Sequence, residues 1–311
     1  MCALFGWLDY RKQIPQKLLQ KLTQALARAA EERGTDAAGI SYVKNGHVTI
    51  YKRPKPAHQM HFRVPIGTTA VMGHTRFATQ GDQKYNWNNH PFHGFAGKEF
   101  AFAHNGVLYN DKKLRKTNKL PKTKIETDSY VAVQLLEQAG NLDFSSLKQM
   151  AETVDGNFTF TLLDEENTLY FIKGTSPLYL VQFQELGLYV YASTQSILEN
   201  ALQVCNLHHY TYSVLKISNG EILSINRSGN LKQDSFSLFS YDWLDAFYPV
   251  STSDQEADTE LDTLLKMCSC FGVEQETILE LLDFGYSYDE VETFLMSPSL
   301  LQEELKNIAA F

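Results

Sequence analysis

The chain has 311 residues, 43% of them hydrophobic and 21% charged, which suits one sizeable folded domain with a smaller companion, or two domains. Net charge is −8 and no run of five or more basic residues occurs, so a polyanion-binding surface is not indicated and nucleic acid is not expected as a partner. No apolar run approaches the roughly 18 residues that cross a bilayer, and the first ten residues lack a cationic-then-apolar leader, which predicts a soluble, cytosolic protein with no membrane association.

In chain order, residues 2–9 are apolar and aromatic and read as a strand, followed by a turn into Pro15 and a helix to about residue 32. Leu18, Leu19, Leu22, Leu26 and Ala29 recur at three- and four-residue steps, giving that helix one apolar face to lay on a sheet. Residues 38–43 and 47–52 form an expected hairpin across Asn45-Gly46, and 69–74 is another short strand. Residues 77–97 show little periodicity and read as a long surface loop of the kind that covers active sites. Short strands are expected at 99–103 and 107–109, flanking His104-Asn105-Gly106, then a solvated lysine-rich loop at 112–124 and helices at 127–139 and 145–154. From residue 158 the texture turns to strands, at 158–163, 168–172, 178–182, 188–192, 210–217 and 221–225, with one helix at 196–202. Residues 241–259 read as a linker, and the rest as short helices with Ser287 as an N-cap and Asp289 and Glu290 in the first turn.

Four cysteines, Cys2, Cys205, Cys268 and Cys270, are too few and too scattered for a disulfide framework and read as reduced thiols. His58/His61, His90/His93 and His208/His209 lack the cysteine or carboxylate spacing of a zinc site and read as solvated or packing side chains. No metal and no cofactor is expected.

Cys2 follows the initiator methionine, so removal of Met1 would place a thiol and a free α-amine on one residue. The amine, with a reference pKa of about 7.7–8.0, can relay the proton of a thiol at about 8.5. Four further motifs follow in order: Arg33-Gly34-Thr35-Asp36, Gly73-His74-Thr75-Arg76-Phe77-Ala78-Thr79, His104-Asn105-Gly106, and Glu126-Thr127-Asp128-Ser129. Taken singly, each also fits a structural role: a buried cysteine, an ion-paired Arg76, an Asn-Gly turn, an Asp128 helix cap. Together they supply a nucleophile, its base, oxyanion donors and opposite charges matched to the two ends of an amino acid.

This set, across residues 2–229, resembles the class II glutamine amidotransferase domain, the N-terminal-nucleophile type found in glucosamine-phosphate synthase, phosphoribosyl-pyrophosphate amidotransferase, asparagine synthetase and glutamate synthase. The resemblance implies an α+β fold, a four-layer α/β/β/α sandwich of two antiparallel sheets, here with a small C-terminal helical appendage. It implies that Cys2 attacks the amide carbon of L-glutamine to form a γ-glutamyl thioester, with the Asn105 side chain and Gly106 N–H as oxyanion hole. Arg76 would hold the substrate carboxylate, Asp128 its ammonium, with Glu126 as the alternative, and Thr79 would help to seat it. Gly34 and Asp36 would be architectural.

Departures from the family pattern are Ala3-Leu4 for Gly-Ile, whose extra methyl would tighten the space beside the thiol, Phe77 for Trp or Tyr, and Gln80 for the His of some members. The expected organisation is 2–240 as the amidotransferase domain, 241–259 as linker and 260–311 as a small helical domain. No P-loop, Ser-Gly-Gly-x-Asp run or phosphoribosyl-binding acidic motif appears, so the ammonia acceptor is expected on a separate synthetase chain, docked through the C-terminal helices, or the protein only hydrolyses an amide. Two alternatives stay open: a hydrolase of another γ-glutamyl or acyl amide, and a catalytically weak glutamine-sensing interaction protein.

Overall fold

A computed structural model describes residues 2–238, 261, 264–265, 268, 273–296, 301–302 and 305. Two compact units emerge, one within Cys2–Ser240 and one within Tyr241–Phe311. Each is described by itself.

The larger unit begins with β1 (Ala3–Asp9), α1 (Gln16–Ala29), β2 (Ala37–Lys44), β3 (His47–Arg53), β4 (Ala70–Arg76), β5 (Phe92–Phe95) and β6 (Glu99–Leu108). It continues with α2 (Asp111–Thr117), α3 (Tyr130–Ala139), α4 (Phe144–Thr153), β7 (Gly156–Asp164), β8 (Leu169–Lys173), β9 (Tyr179–Phe183), β10 (Leu188–Ala192), α5 (Gln195–Val204), β11 (Ser213–Leu215), β12 (Glu221–Ile225) and β13 (Leu231–Ser235). One sheet runs β11-β9-β10-β1-β4-β2-β3 and the other β13-β12-β8-β7-β6-β5, with every pairing antiparallel.

Strand alternation builds the four layers. On β1, Ala3, Phe5 and Trp7 join Leu22 and Leu26 of α1 and Leu198 of α5 in one core, while Leu4 and Leu8 join Ala101, Ala103 and Phe171 of the second sheet in another. A third core lies under α3 and α4, with Val133, Leu136 and Leu147 against Phe102 and Phe160. The result is an α/β/β/α sandwich. Trp7 is fully buried with its polar handle satisfied, Nε1–H donating to Thr23 Oγ1 at 2.8 Å. Truncating such a ring costs about 3–5 kcal/mol.

Three expectations change. The segment 77–97 is not a surface loop: Asn88, Asn89, His90 and Phe92 are buried and β5 lies within it. Side-chain amides bonding to backbone groups take the place of hydrophobic periodicity there. Residues 112–117 belong to α2, anchored by buried Leu114 among solvent-facing lysines, a pattern too sparse to show helical period. Asn105-Gly106 is not a turn between two strands; β6 runs straight through it, with Gly106 at φ 132°. A Cβ on Gly106 would sit 2.0 Å from the Asn157 carbonyl oxygen, so only glycine lets the two strands approach.

In the smaller unit, α6 (Gln275–Phe284) and α7 (Tyr288–Met296) bury Ile278, Leu281, Val291, Phe294 and Leu295. Ser287 and Glu290 form the expected N-terminal cap of α7: the Ser287 amide donates to the Glu290 carboxylate at 2.8 Å, and the Glu290 amide to Ser287 Oγ at 3.4 Å. Tyr286 packs edge-on against Phe294 and stacks at 6.1 Å on the half-exposed Phe284. The expected linker at 241–259 and Cys270 lie outside the described residues. Among the described residues, no helix is long and apolar enough to cross a membrane.

Candidate functional site

Cys2 stands at the head of β1, half-buried. Alternation that sends Ala3 toward α1 directs residue 2 to the opposite face, the one that looks toward the second sheet. The Ala3 methyl therefore lies in the helix-facing core and does not narrow the space beside the thiol. Cys2 Sγ–H donates to the Phe77 carbonyl at 3.5 Å, and the Cys2 carbonyl accepts from Arg33 Nε at 3.0 Å. The Arg-Gly-Thr-Asp segment is indeed packed against this end: a Cβ on Gly34 would fall 2.5 Å from the Arg76 carbonyl carbon, and Asp36 Oδ2 accepts from the Ala78 amide at 2.7 Å.

Cys2, Arg76, Phe77, Thr79, Gln80, Gly106 and Asp128 line one narrow cleft of ≈ 10 Å³, together with His90, His104, Thr127 and Ser129. Five of the six sequence-derived site residues thus converge, from β1, β4, β6, the turn after β4 and the segment before α3. Asn105 is the sixth and does not line the cleft; its Nδ2 donates to Ser193 Oγ at 3.4 Å. Ser193 ties that amide to the nucleophile strand, since its Oγ also accepts from the Leu4 amide at 2.8 Å and its own amide donates to the Leu4 carbonyl at 2.9 Å.

The charged end is held differently. Arg76 is 2% exposed and donates Nη1–H to Asn89 Oδ1 (2.8 Å) and Nη2–H groups to the carbonyls of Gln80 and Gly81 (2.7 Å each). Asp128 is 4% exposed and accepts from the Leu108 amide at 2.6 Å, while Glu126 faces out and accepts from Asn88 Nδ2 at 2.7 Å. Asp128, not Glu126, is the acid inside the cleft. Ser129 Oγ lies 3.5 Å from Asp128 Oδ1 and 2.8 Å from His104 Nδ1.

Burial pushes the Asp128 carboxyl up to about 6 against the pull of the Leu108 amide, and burial raises the Cys2 thiol, partly offset by nearby Arg76. Burial also lowers His74 and His104 to about 3 and His90 well below its ordinary value, so all three imidazoles are neutral near pH 7. No cluster of His, Cys, Asp or Glu able to hold a metal ion is present among the described residues.

Residues 74–200 match a family model described as a glutamine amidotransferase domain. Glutamine–fructose-6-phosphate aminotransferase (isomerizing) of Staphylococcus aureus is 31% identical over 253 residues, covering 76% of this chain and 39% of that one. The 7-cyano-7-deazaguanine synthase 2 of Sulfurisphaera tokodaii is 27% identical over 201 residues, covering 62% of this chain and 43% of that one. The glutamine phosphoribosylpyrophosphate amidotransferase of B. subtilis shares the fold, with a TM-score of 0.58 at 22% identity over 76% of this chain and 49% of that one. The chain carries a class II glutamine amidotransferase domain. It spans less than half the length of these relatives.

Several residues of this amidotransferase domain escaped the sequence. His90 lines the cleft with neither ring nitrogen hydrogen-bonded, its ring centre 4.2 Å from that of His74 and tilted by 33°. As one of a His90/His93 pair it carried no distinguishing spacing, and His93 is half exposed. Asn88 and Asn89 carried no signal beyond a polar loop, and Ser193 carried none.

Proposed function

We propose that the protein hydrolyses the side-chain amide of L-glutamine through Cys2 and delivers the ammonia to an acceptor. The observation that carries this is the convergence on one cleft of a thiol at the chain's second residue, a buried guanidinium and a buried carboxylate. Removal of Met1 exposes the Cys2 α-amine, which takes the thiol proton as Sγ bonds to the amide carbon. The Gly106 N–H and Asn105 amide stabilise the resulting oxyanion, a contribution of about 10²–10³ per donor. Asn105 Nδ2 spends one of its two N–H donors on Ser193, and the other has to turn toward the cleft to serve this role. The C–N bond then breaks, the departing nitrogen takes the proton held by the α-amine, and ammonia leaves a γ-glutamyl thioester. Water attacks that thioester, glutamate forms, and the thiol regains its proton.

Arg76 receives the substrate carboxylate and Asp128 the ammonium, which selects a free amino acid over a peptide or acyl amide. Three of the five Arg76 N–H donors are engaged by Asn89, Gln80 and Gly81, so a bidentate grip requires the carbonyls of residues 80 and 81 to give way. The acceptor is served by a partner protein or further module. Purified chain, with Met1 removal verified by intact mass, is expected to release ammonia from glutamine, and Cys2→Ala to release none. Equal release by both proteins would end this assignment.

A further inference from the structure

Lys52 stands on β3, outside every motif that carries the resemblance. Its Nζ donates to the backbone carbonyl of Asn89 and, at 2.9 Å, to that of Pro91, and lies 4.9 Å from the centre of the Phe92 ring. Those two carbonyls bracket His90, a wall of the cleft, and the Asn89 side chain is the one that accepts from Arg76. The neighbouring strand is cut to fit: a Cβ on Gly39 of β2 would fall 2.5 Å from the His90 carbonyl oxygen and 2.7 Å from Lys52 Cβ. One ammonium therefore fixes the peptide units from which both a cleft wall and the Arg76 anchor hang.

We propose that Lys52 is a positioning residue for the glutamine site, seating Arg76 and His90 through residues 89–91, and that its charge regulates affinity for glutamine. This rests on the assignment of the cleft to glutamine. A charged ammonium donates to carbonyls about twice as strongly as a neutral amine. Burial, and after it the Arg76 charge, lowers Lys52 to about 7. The other titratable groups facing it are His74 of β4 and His90, both held neutral by burial, while Arg53 on its own strand donates to the Lys52 carbonyl at 2.7 Å. No carboxylate forms an ion pair with it among the described residues. The charged form is filled below about pH 7 and empties above it, so the contribution of Lys52 to affinity is greatest below that point and is lost as pH rises.

The test is calorimetric binding of L-glutamine to full-length Cys2→Ser protein, which cannot form the thioester, carrying Lys52, Lys52→Arg or Lys52→Met. With Lys52 the dissociation constant should rise roughly tenfold between about pH 6 and 8.5, the size of one hydrogen bond to a charged group. Lys52→Arg should keep the low-pH affinity and lose this rise, whereas Lys52→Met, checked for folding by its melting curve, should bind roughly tenfold more weakly at low pH. A Lys52→Met or, if that variant does not fold, a Lys52→Arg protein with the parent's affinity and pH profile overturns the proposal. Glutamine binding without ammonia release by the Cys2 chain defeats the hydrolase assignment alone; no binding by any of the proteins defeats both.

Discussion

The two ends of the cleft are built on different principles. At the nucleophile end, Cys2, Asn105 and Gly106 are placed by sheet register: β1 lies between β4 and β10, and β6 runs unbroken through Asn105↔Thr159 and Gly106↔Phe158. At the charged end, Arg76 closes β4, but its guanidinium donates to Asn89 Oδ1 and to the carbonyls of Gln80 and Gly81. The Asp128 carboxylate accepts from the Leu108 amide and lies beside Ser129 Oγ, while Lys52 acts one step removed through the carbonyls of residues 89 and 91. Backbone ladders are shared over many residues and insensitive to pH. Side-chain clamps can be removed one at a time, and some of them titrate, so substrate affinity should be more easily tuned than the chemistry.

The largest effect should come from the backbone end. Gly106→Ala adds a methyl that meets the Asn157 carbonyl at 2.0 Å in a φ of 132°, and should lower kcat by about 10²–10³ through displacement of an oxyanion donor. Unchanged kcat in steady-state ammonia release would mean that register does not place this donor. Asn89→Ala removes an acceptor from Arg76 and should raise KM for glutamine roughly tenfold with kcat within about twofold, the signature of lost ground-state binding. A fall in kcat instead would blur the division between the two ends.

The acid limb of the pH profile provides a third check. Asp128 holds an ammonium only when ionised, and its pKa is about 6, so kcat/KM should fall as pH drops through 6, by about tenfold per unit below it. In Asp128→Asn that limb should vanish along with most affinity. Smallest of all is Ala3→Gly: the methyl faces the α1 core, so KM should not change and stability should fall by about 1 kcal/mol, read from thermal or denaturant unfolding. An improved KM would show that the methyl reaches the cleft after all.

Much of the backbone end was legible in the sequence. The apolar, aromatic run of residues 2–9, the three- and four-residue steps of α1 and the strand-rich second half each announce a local conformation, and the resemblance carried by the ordered motifs implied the two-sheet sandwich. The ordered motifs also named Cys2, Arg76, Thr79, Gly106 and Asp128, which share the cleft. Asn105 was named too, yet its amide faces Ser193, a residue 88 positions away that no pattern marks.

What the sequence determined by itself was the set of reactive groups, because a thiol beside an α-amine, a guanidinium and a carboxylate keep their chemistry wherever they lie. It also determined most elements, since helix and strand periods are local. Only the tertiary structure decided which groups hold the reactive ones and in which state of charge. Lys52 and Asn89 are 37 residues apart and meet because β3 packs beside the buried 88–91 segment. Asp128 rises to about 6 and Lys52 falls to about 7 because packing withdraws water from both. Burial and long-range partners belong to the assembled layers, and no local run of residues encodes them.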